Sequence, residues 1–193
     1  VITGASDLDG GISFLRDEVV PQLQQQKGFR GASASGNRQE GRVTILTIWD
    51  SEADLDASES VADKARSDAL RIIGGQVSVE HYEQLVWETG AVPPGPGAKL
   101  HVRHIRMAPD LIDGNLAYFR QEVVPAMRAT PGFLGVRLLM NRRTGEGRVG
   151  TVWADEDCLQ GSLARAEERR AGARSRGVEF GEEQLLDLLG QRS

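Results

Sequence analysis

The sequence predicts an α+β protein built from two tandem copies of a strand–helix–strand–strand–helix–strand unit, their sheets facing each other. Three observations carry this. A shift of 104 residues lays 1–66 over 105–170 without a gap, with 20 identities in 66 positions. Within each copy the apolar spacing switches between a helical stripe and strand-like alternation. Between the copies, Ala91-Val92-Pro93-Pro94-Gly95-Pro96-Gly97 holds three prolines and two glycines in seven residues, which excludes a helix or a central strand there. The domains are therefore 1–90, a linker at 91–98, and 99–193.

The identities cluster at residues with backbone roles. Arg16-Asp17-Glu18-Val19-Val20-Pro21 meets Arg120-Gln121-Glu122-Val123-Val124-Pro125, Gly28-Phe29-Arg30-Gly31 meets Gly132-Phe133-Leu134-Gly135, and Thr47-Ile48-Trp49 meets Thr151-Val152-Trp153. The first helix is expected over 10–26, where Ile12, Leu15, Val19 and Leu23 form one stripe, repeated by Leu116, Phe119, Val123 and Met127. Pro21 and Pro125 lie inside these helices and should kink or end them. Gly28 and Gly132 follow as stop signals. Strands at 29–37 and 42–49 are joined by a tight turn at Asn37–Gly41, with its counterpart beginning at Asn141. A second helix runs over 52–72 and 156–175, opened by acidic residues. A last strand lies at 77–87 and at 178–187, the latter ending in a stretch that also suits a helix. Copy two opens with a strand-like lead-in, Leu100–Met107. Copy one retains only the counterpart of its end, so its first strand begins upstream or is short.

The chain has 193 residues, a net charge of −5 and 39% apolar residues. That argues against a nucleic-acid binder held by overall positive charge. No stretch approaches the roughly 18 apolar residues of a spanning helix, and no leader pattern is visible at the N-terminus, so a cytoplasmic location without membrane contact is the default. Arginine outnumbers lysine by 20 to 3, as in GC-rich bacterial coding. One cysteine, Cys158, excludes an internal disulfide and a multi-cysteine metal site. Residues 1–97 carry 8 basic and 15 acidic groups (−7), residues 98–193 carry 15 and 13 (+2).

Both faces of strand 42–49 are largely apolar, which means both are covered. One face packs the helices and the other is expected to meet the second copy. Counting by parity assigns Trp49, Thr47, Trp153 and Thr151 to the enclosed face. It places Ser33, Ser35 and Asn37 beside them in copy one, and Arg137, Leu139 and Asn141 in copy two. Ala32, Ala34, Val136, Leu138 and Met140 fall on the helix side.

A proline-interrupted first helix, then Gly-Phe-x-Gly, a hairpin, and a strand ending Thr-x-Trp before an acidic helix start resemble the antibiotic biosynthesis monooxygenase domain of the dimeric α+β barrel superfamily. The resemblance covers both copies, and Trp49-Asp50-Ser51-Glu52-Ala53 is its most specific piece. It implies ferredoxin-like βαββαβ units that close an α+β barrel, here within one chain. The monomer then has an internal pseudo-two-fold, and further dimerisation is open. Members include oxygenases that need no cofactor and act on aromatic phenols or quinols, and haem-degrading enzymes. The haem branch needs an axial histidine about ten positions beyond the tryptophan. Ser58-Glu59 and Ser162-Leu163 stand there, and Arg103 stands near the place of its strand-one asparagine. The oxygenase branch is favoured, with no cofactor and a small aromatic or quinone-like ligand. The implied site residues are Trp49 and Trp153 as walls, Asn37, Asn141 and Arg137 as partners for a phenolate oxygen, and His104 or Arg103 to assist deprotonation. A member that only binds a ligand or serves structure is the alternative.

Each candidate also has a plain structural role. Tryptophans at strand ends pack cores, asparagine favours turns, and Arg137 also suits a salt bridge. His101 and His104 fall on opposite faces of a strand, which disfavours a shared metal. His81 beside Tyr82 suits a structural place, and Cys158 an inert thiol. The basic run Arg165–Arg176 suits a solvated helix face or a docking surface.

Overall fold

A computed structural model of the chain describes residues 1–95 and 97–192, Gln191 and Arg192 by their backbone alone. Two units are present: Val1–Val79 together with the chain end from Leu188, and Glu80–Asp187. The first unit contains β1 (Ile2–Thr3), helix α1 (8–23), β2 (Phe29–Asn37), β3 (Arg42–Trp49), helix α2 (Glu52–Ile73) and β4 (Gln76–Val77). The second contains β5 (Glu83–Thr89), β6 (Lys99–Arg106), helix α3 (112–128), β7 (Phe133–Met140), β8 (Glu146–Trp153), helices α4 (Glu156–Ala164) and α5 (Ala166–Arg174), and β9 (Glu179–Arg192), whose end belongs to the first unit.

The strands run β4-β1-β3-β2 in the first unit and β9-β6-β8-β7-β5 in the second. Four strands of each unit thus repeat one order: last, first, third, second. With two helical segments per unit this is the expected α+β, ferredoxin-like βαββαβ arrangement. The run at 77–87 divides, however. Gln76–Val77 pairs with β1, whereas Glu83–Thr89 pairs antiparallel with β7 in the second unit. Alternation marks a segment as a strand without naming its partner, so sequence copy and spatial unit differ by this strand. The ambiguous end of copy two is strand: β9 pairs with β6 from Arg106↔Glu179 to Lys99↔Asp187.

The two prolines do not end their helices. In α1 the turn Leu15–Val19 is π-helical and Val20 N–H reaches Leu15 O; in α3 the turn Phe119–Val123 is π-helical and Val124 N–H reaches Phe119 O. Proline lacks an N–H and its ring crowds the carbonyl four residues back. One widened turn immediately before Pro21 and Pro125 relieves both problems. The helices then stop as expected at Gly28 and Gly132, both at φ +77°, where a Cβ on Gly132 would lie 2.3 Å from Cys158 Sγ.

The hairpins correct the expected face assignment. Asn37 Oδ1 accepts from the amides of Gln39 (3.0 Å) and Glu40 (3.3 Å), and Asn141 Oδ1 from those of Arg143 (3.0 Å) and Thr144 (3.2 Å). These turns set a register in which odd residues face even ones: Ala32↔Thr47 and Ala34↔Ile45, Val136↔Thr151 and Leu138↔Val149. Directly opposed residues share a face. Trp49 and Thr47 therefore lie with Ala32 and Ala34, and Trp153 and Thr151 with Val136 and Leu138, all on the helix side. Ser33, Ser35 and Asn37, like Arg137, Leu139 and Asn141, lie on the other face. Parity along the chain carries no meaning across a turn until the turn length is known.

Two cores follow from this. Trp49, Ala32 and Ala34 pack with Leu15, Val19 and Leu23 of α1, and Trp153, Val136 and Leu138 pack with Val123 and Met127 of α3 and Leu159 of α4. The following helices are capped by side chains, Ser51 Oγ accepting from Asp54 N at 3.1 Å and Asp155 Oδ1 from Cys158 N at 2.8 Å. Ser51→Ala is expected to remove about 1 kcal/mol, measured as a lower urea midpoint with unchanged slope. No described helix is long and apolar enough to cross a membrane.

Candidate functional site

The space between sheet and helices in the second unit is not filled. A cavity of about 110 Å3 lies between β6, β7 and β8 below and α3, α4 and α5 above. Ile105, Leu138, Met140 and Val149 form much of its floor, and Phe119 and Val123 of the π-helical turn look onto it from α3. An apolar cavity of roughly 150 Å3 accepts benzene, so this one is of single-ring scale. In the first unit the positions corresponding to Asn115 and Arg169 of this wall are Gly11 and Ala65. A Cβ on Gly11 would meet Ile73 at 2.7 Å, so there Ile73 stands beside the helix.

Polar groups reach the cavity in two places. At one end is Asn115, buried to 9% exposure, whose Nδ2 donates to the carbonyls of Leu111 (3.1 Å) and Arg176 (3.2 Å). Its Oδ1 is buried and accepts no hydrogen bond among the described residues. At the other end, strand alternation turns His101, Arg103 and Ile105 of β6 to the cavity. The His101 ring lies 2.7 Å, through Nε2, from Glu183 Oε1 on β9. The same oxygen is 3.2 Å from Arg103 Nη1 and 3.1 Å from Arg170 Nη2.

The electrostatics of this group follow from its burial. Burial pulls the His101 pKa below the ordinary imidazole value, outweighing the hydrogen bond and charge of Glu183, which act the other way. Burial pushes Glu183 up, but the hydrogen bond from His101 and the charges of His101, Arg103 and Arg170 outweigh it and hold the carboxyl below its usual range. The stable form near neutrality is a neutral imidazole donating Nε2–H to a carboxylate. Its Nδ1 keeps a lone pair that no described residue occupies.

Within each unit the residues expected to form a site lie on different faces of the sheet. Trp153 is fully buried, donates through Nε1 to Thr151 Oγ1 at 2.9 Å and meets Phe133 edge to face at 5.7 Å. Trp49 repeats this with Thr47 at 3.1 Å and Phe29 at 5.3 Å. Neither tryptophan lines the cavity, although Thr151 does. Asn37 and Asn141 serve their turns. Arg137 lies on the opposite face, its guanidinium 4.1 Å from the centre of the Trp87 ring, and burial lowers its pKa to about 10. His104 also points away from the cavity, with Nε2 2.7 Å from Glu146 Oε2. Of the two strand-one alternatives, Arg103 is the one at the cavity. The sequence reading missed His101, yet its signal was there: it stands two residues before Arg103, hence on the same face. Cys158 remains a thiol, its pKa raised by hydrogen bonding to Asp155, by burial and by the charges of Asp155 and Asp157.

No family model matches the chain. An uncharacterised protein of Mycobacterium tuberculosis is 28% identical over 94% of this chain and 75% of its own length, and another is 26% identical over 79% and 68%. Among solved structures, a candidate monooxygenase from Fusobacterium nucleatum superposes with a TM-score of 0.71 at 15% identity, covering 100% of this chain and 90% of its own. An anthrone oxidase-like protein gives 0.65 at 15% identity, covering 97% and 89%. A ferredoxin-fold protein related to antibiotic biosynthesis monooxygenases, from Listeria monocytogenes, gives 0.51 at 12% identity over 98% and 93%. The chain therefore has the fold of these monooxygenase-type proteins.

Haem, which the fold family also suggests, does not suit this cavity. A porphyrin spans four pyrrole rings and the space is of single-ring scale.

Proposed function

We propose that the second unit is an oxygenase site for a small phenol or hydroquinone, with His101 as proton acceptor and Glu183 as its positioning residue. The observation that carries this is an imidazole, held neutral by burial and fixed through Nε2 by a carboxylate, on the wall of an otherwise apolar cavity. The fold shared with monooxygenase-type proteins supports the reaction class.

In this reading a single ring fills the cavity, and His101 Nδ1 takes the phenolic proton. The oxyanion pushes electron density onto a ring carbon, which transfers electrons to O2 and forms a carbon–oxygen bond. The hydroperoxide O–O bond then breaks; one oxygen stays as a carbonyl and the other leaves as water. A phenol plus O2 thus gives a quinone plus water, the substrate itself supplying the electrons. Excluding water strengthens each of these charge interactions.

A second reading, storage or transport of a small apolar molecule, is favoured by the predominance of apolar side chains around the cavity. Oxygen uptake with a panel of single-ring phenols and hydroquinones separates the two. Uptake abolished in His101→Asn supports the oxygenase. Saturable binding of the same compounds without uptake supports the carrier. Haemin added to the protein is expected to leave its absorption spectrum unshifted, and a shifted, sharpened Soret band would overturn the exclusion of haem.

A further inference from the structure

The basic run of the last helices is not simply a solvated face. Arg169 and Arg170 of α5 line the cavity together with Arg103 of β6. Three guanidiniums therefore share one end of an apolar space, where Glu183 is the one carboxylate within ion-pair distance of them among the described residues. Arg170 and Arg103 both use the same oxygen of that carboxylate, which also holds His101. Arg169 has only the carbonyl of Ser162, at 3.2 Å. The Nε of Arg103 is buried and has no hydrogen-bond partner among the described residues.

A partly buried guanidinium with no carboxylate in direct contact loses hydration that one carbonyl returns only in part. Burial and the neighbouring charges of Arg170 and Arg165 accordingly lower the Arg169 pKa, and the charge of Glu168 opposes them without cancelling them. The first unit has no such excess. The counterpart of Arg169 is Ala65, and the counterpart of Arg170 is Arg66, which is neutralised by both Glu59 and Asp63. At the far end, Asn115 bonds the Arg176 carbonyl just before the start of β9, which pairs at Arg106. From there to Arg103 is three residues along β6, about 10 Å by strand rise, which a single ring with a carboxylate and a hydroxyl can bridge. The two ends thus differ in kind: a free amide oxygen at one, and at the other a cluster of guanidiniums in which Arg169 touches no carboxylate.

We propose that the ligand of this cavity is a small hydroxyaryl carboxylate, whose carboxylate meets Arg169 and Arg103 while a hydroxyl donates to Asn115 Oδ1. This rests on the cavity being the ligand site proposed above and narrows what enters it. A planar carboxylate accepts two parallel N–H bonds from a guanidinium. The uncharged amide of the same acid cannot replace that pair.

The test is calorimetric binding of 2,5-dihydroxybenzoate and of 2,5-dihydroxybenzamide, with oxygen uptake measured on both. The acid is expected to bind at least about tenfold more tightly than the amide, a difference of about 1.4 kcal/mol. Arg169→Gln should remove that preference, and Arg169→Lys should restore part of it, which a merely structural role would not. Equal affinity for acid and amide, no binding of either, or a preference unchanged in Arg169→Gln would overturn the inference. Acid preference without oxygen uptake would leave it standing and remove the oxygenase reading. Uptake with the amide as fast as with the acid, at equal affinity, would do the reverse.

Discussion

Trp153→Ala is expected to cost about 3–5 kcal/mol of stability, the range for deleting a large aromatic side chain from a closed core. Trp153 has no exposed surface, and it sits against Phe133, Val136 and Leu159, which cannot all move into the space it leaves. Its Nε1–H is satisfied inside the core by Thr151, so the substitution also strips a buried hydroxyl of its donor. Trp153→Phe keeps most of the packing and should lose much less. Trp49→Ala, at a partly exposed copy of the same position, should fall between the two. Urea unfolding followed by far-ultraviolet circular dichroism reads all three. A loss below about 1 kcal/mol for Trp153→Ala would mean that the tryptophan is not the keystone of its core, and would return it to consideration as a ligand wall.

That Trp153 is structural was legible only in part. The strand and helix order, the turns and the stop glycines were visible, because each is a local device: glycine at positive φ, asparagine folding over its own turn, an apolar stripe at helical spacing. What local devices do not encode is which residues across a turn share a face. The hairpin register turned Trp153 away from Arg137 and toward α3 and α4, and with it moved the expected site from one side of the sheet to the other. Strand partners were equally hidden. Nothing in Glu83–Thr89 says that it pairs with β7. The cavity was hidden for a different reason: it is made by small differences between the copies, such as Asn115 where copy one has Gly11, and their effect depends on what stands opposite. The prolines were read correctly as helix disturbances, but not as π-helical turns, since the fold chooses between a kink, an end and a widened turn.

His101→Asn is expected to lower kcat/KM for oxygen uptake by about 10²–10⁴-fold, the usual contribution of one general base. Asparagine keeps a donor toward Glu183 but has no proton-accepting ring nitrogen, so a drop with the fold intact isolates the proton transfer from the packing. The pH dependence follows from the neutral ground state. Because burial holds the His101 pKa below 6.5, the base form predominates at neutrality and activity should fall on acidification below that value. Glu183→Gln removes the charge and hydrogen bond that favour the imidazolium. The acid limb should therefore move to still lower pH, with a smaller fall in rate at pH 7 than in His101→Asn. Stability moves in the same direction. An unfolded chain takes up the imidazole proton near 6.5 while the buried ring resists it, so the folded state loses stability as pH drops through that range. The Glu183 carboxyl, held below its ordinary 4.5, adds a second loss below that pH. In His101→Asn the first of these losses should vanish and the second persist. An acid limb that stays in place in Glu183→Gln would show that His101 is not the group whose titration governs the reaction.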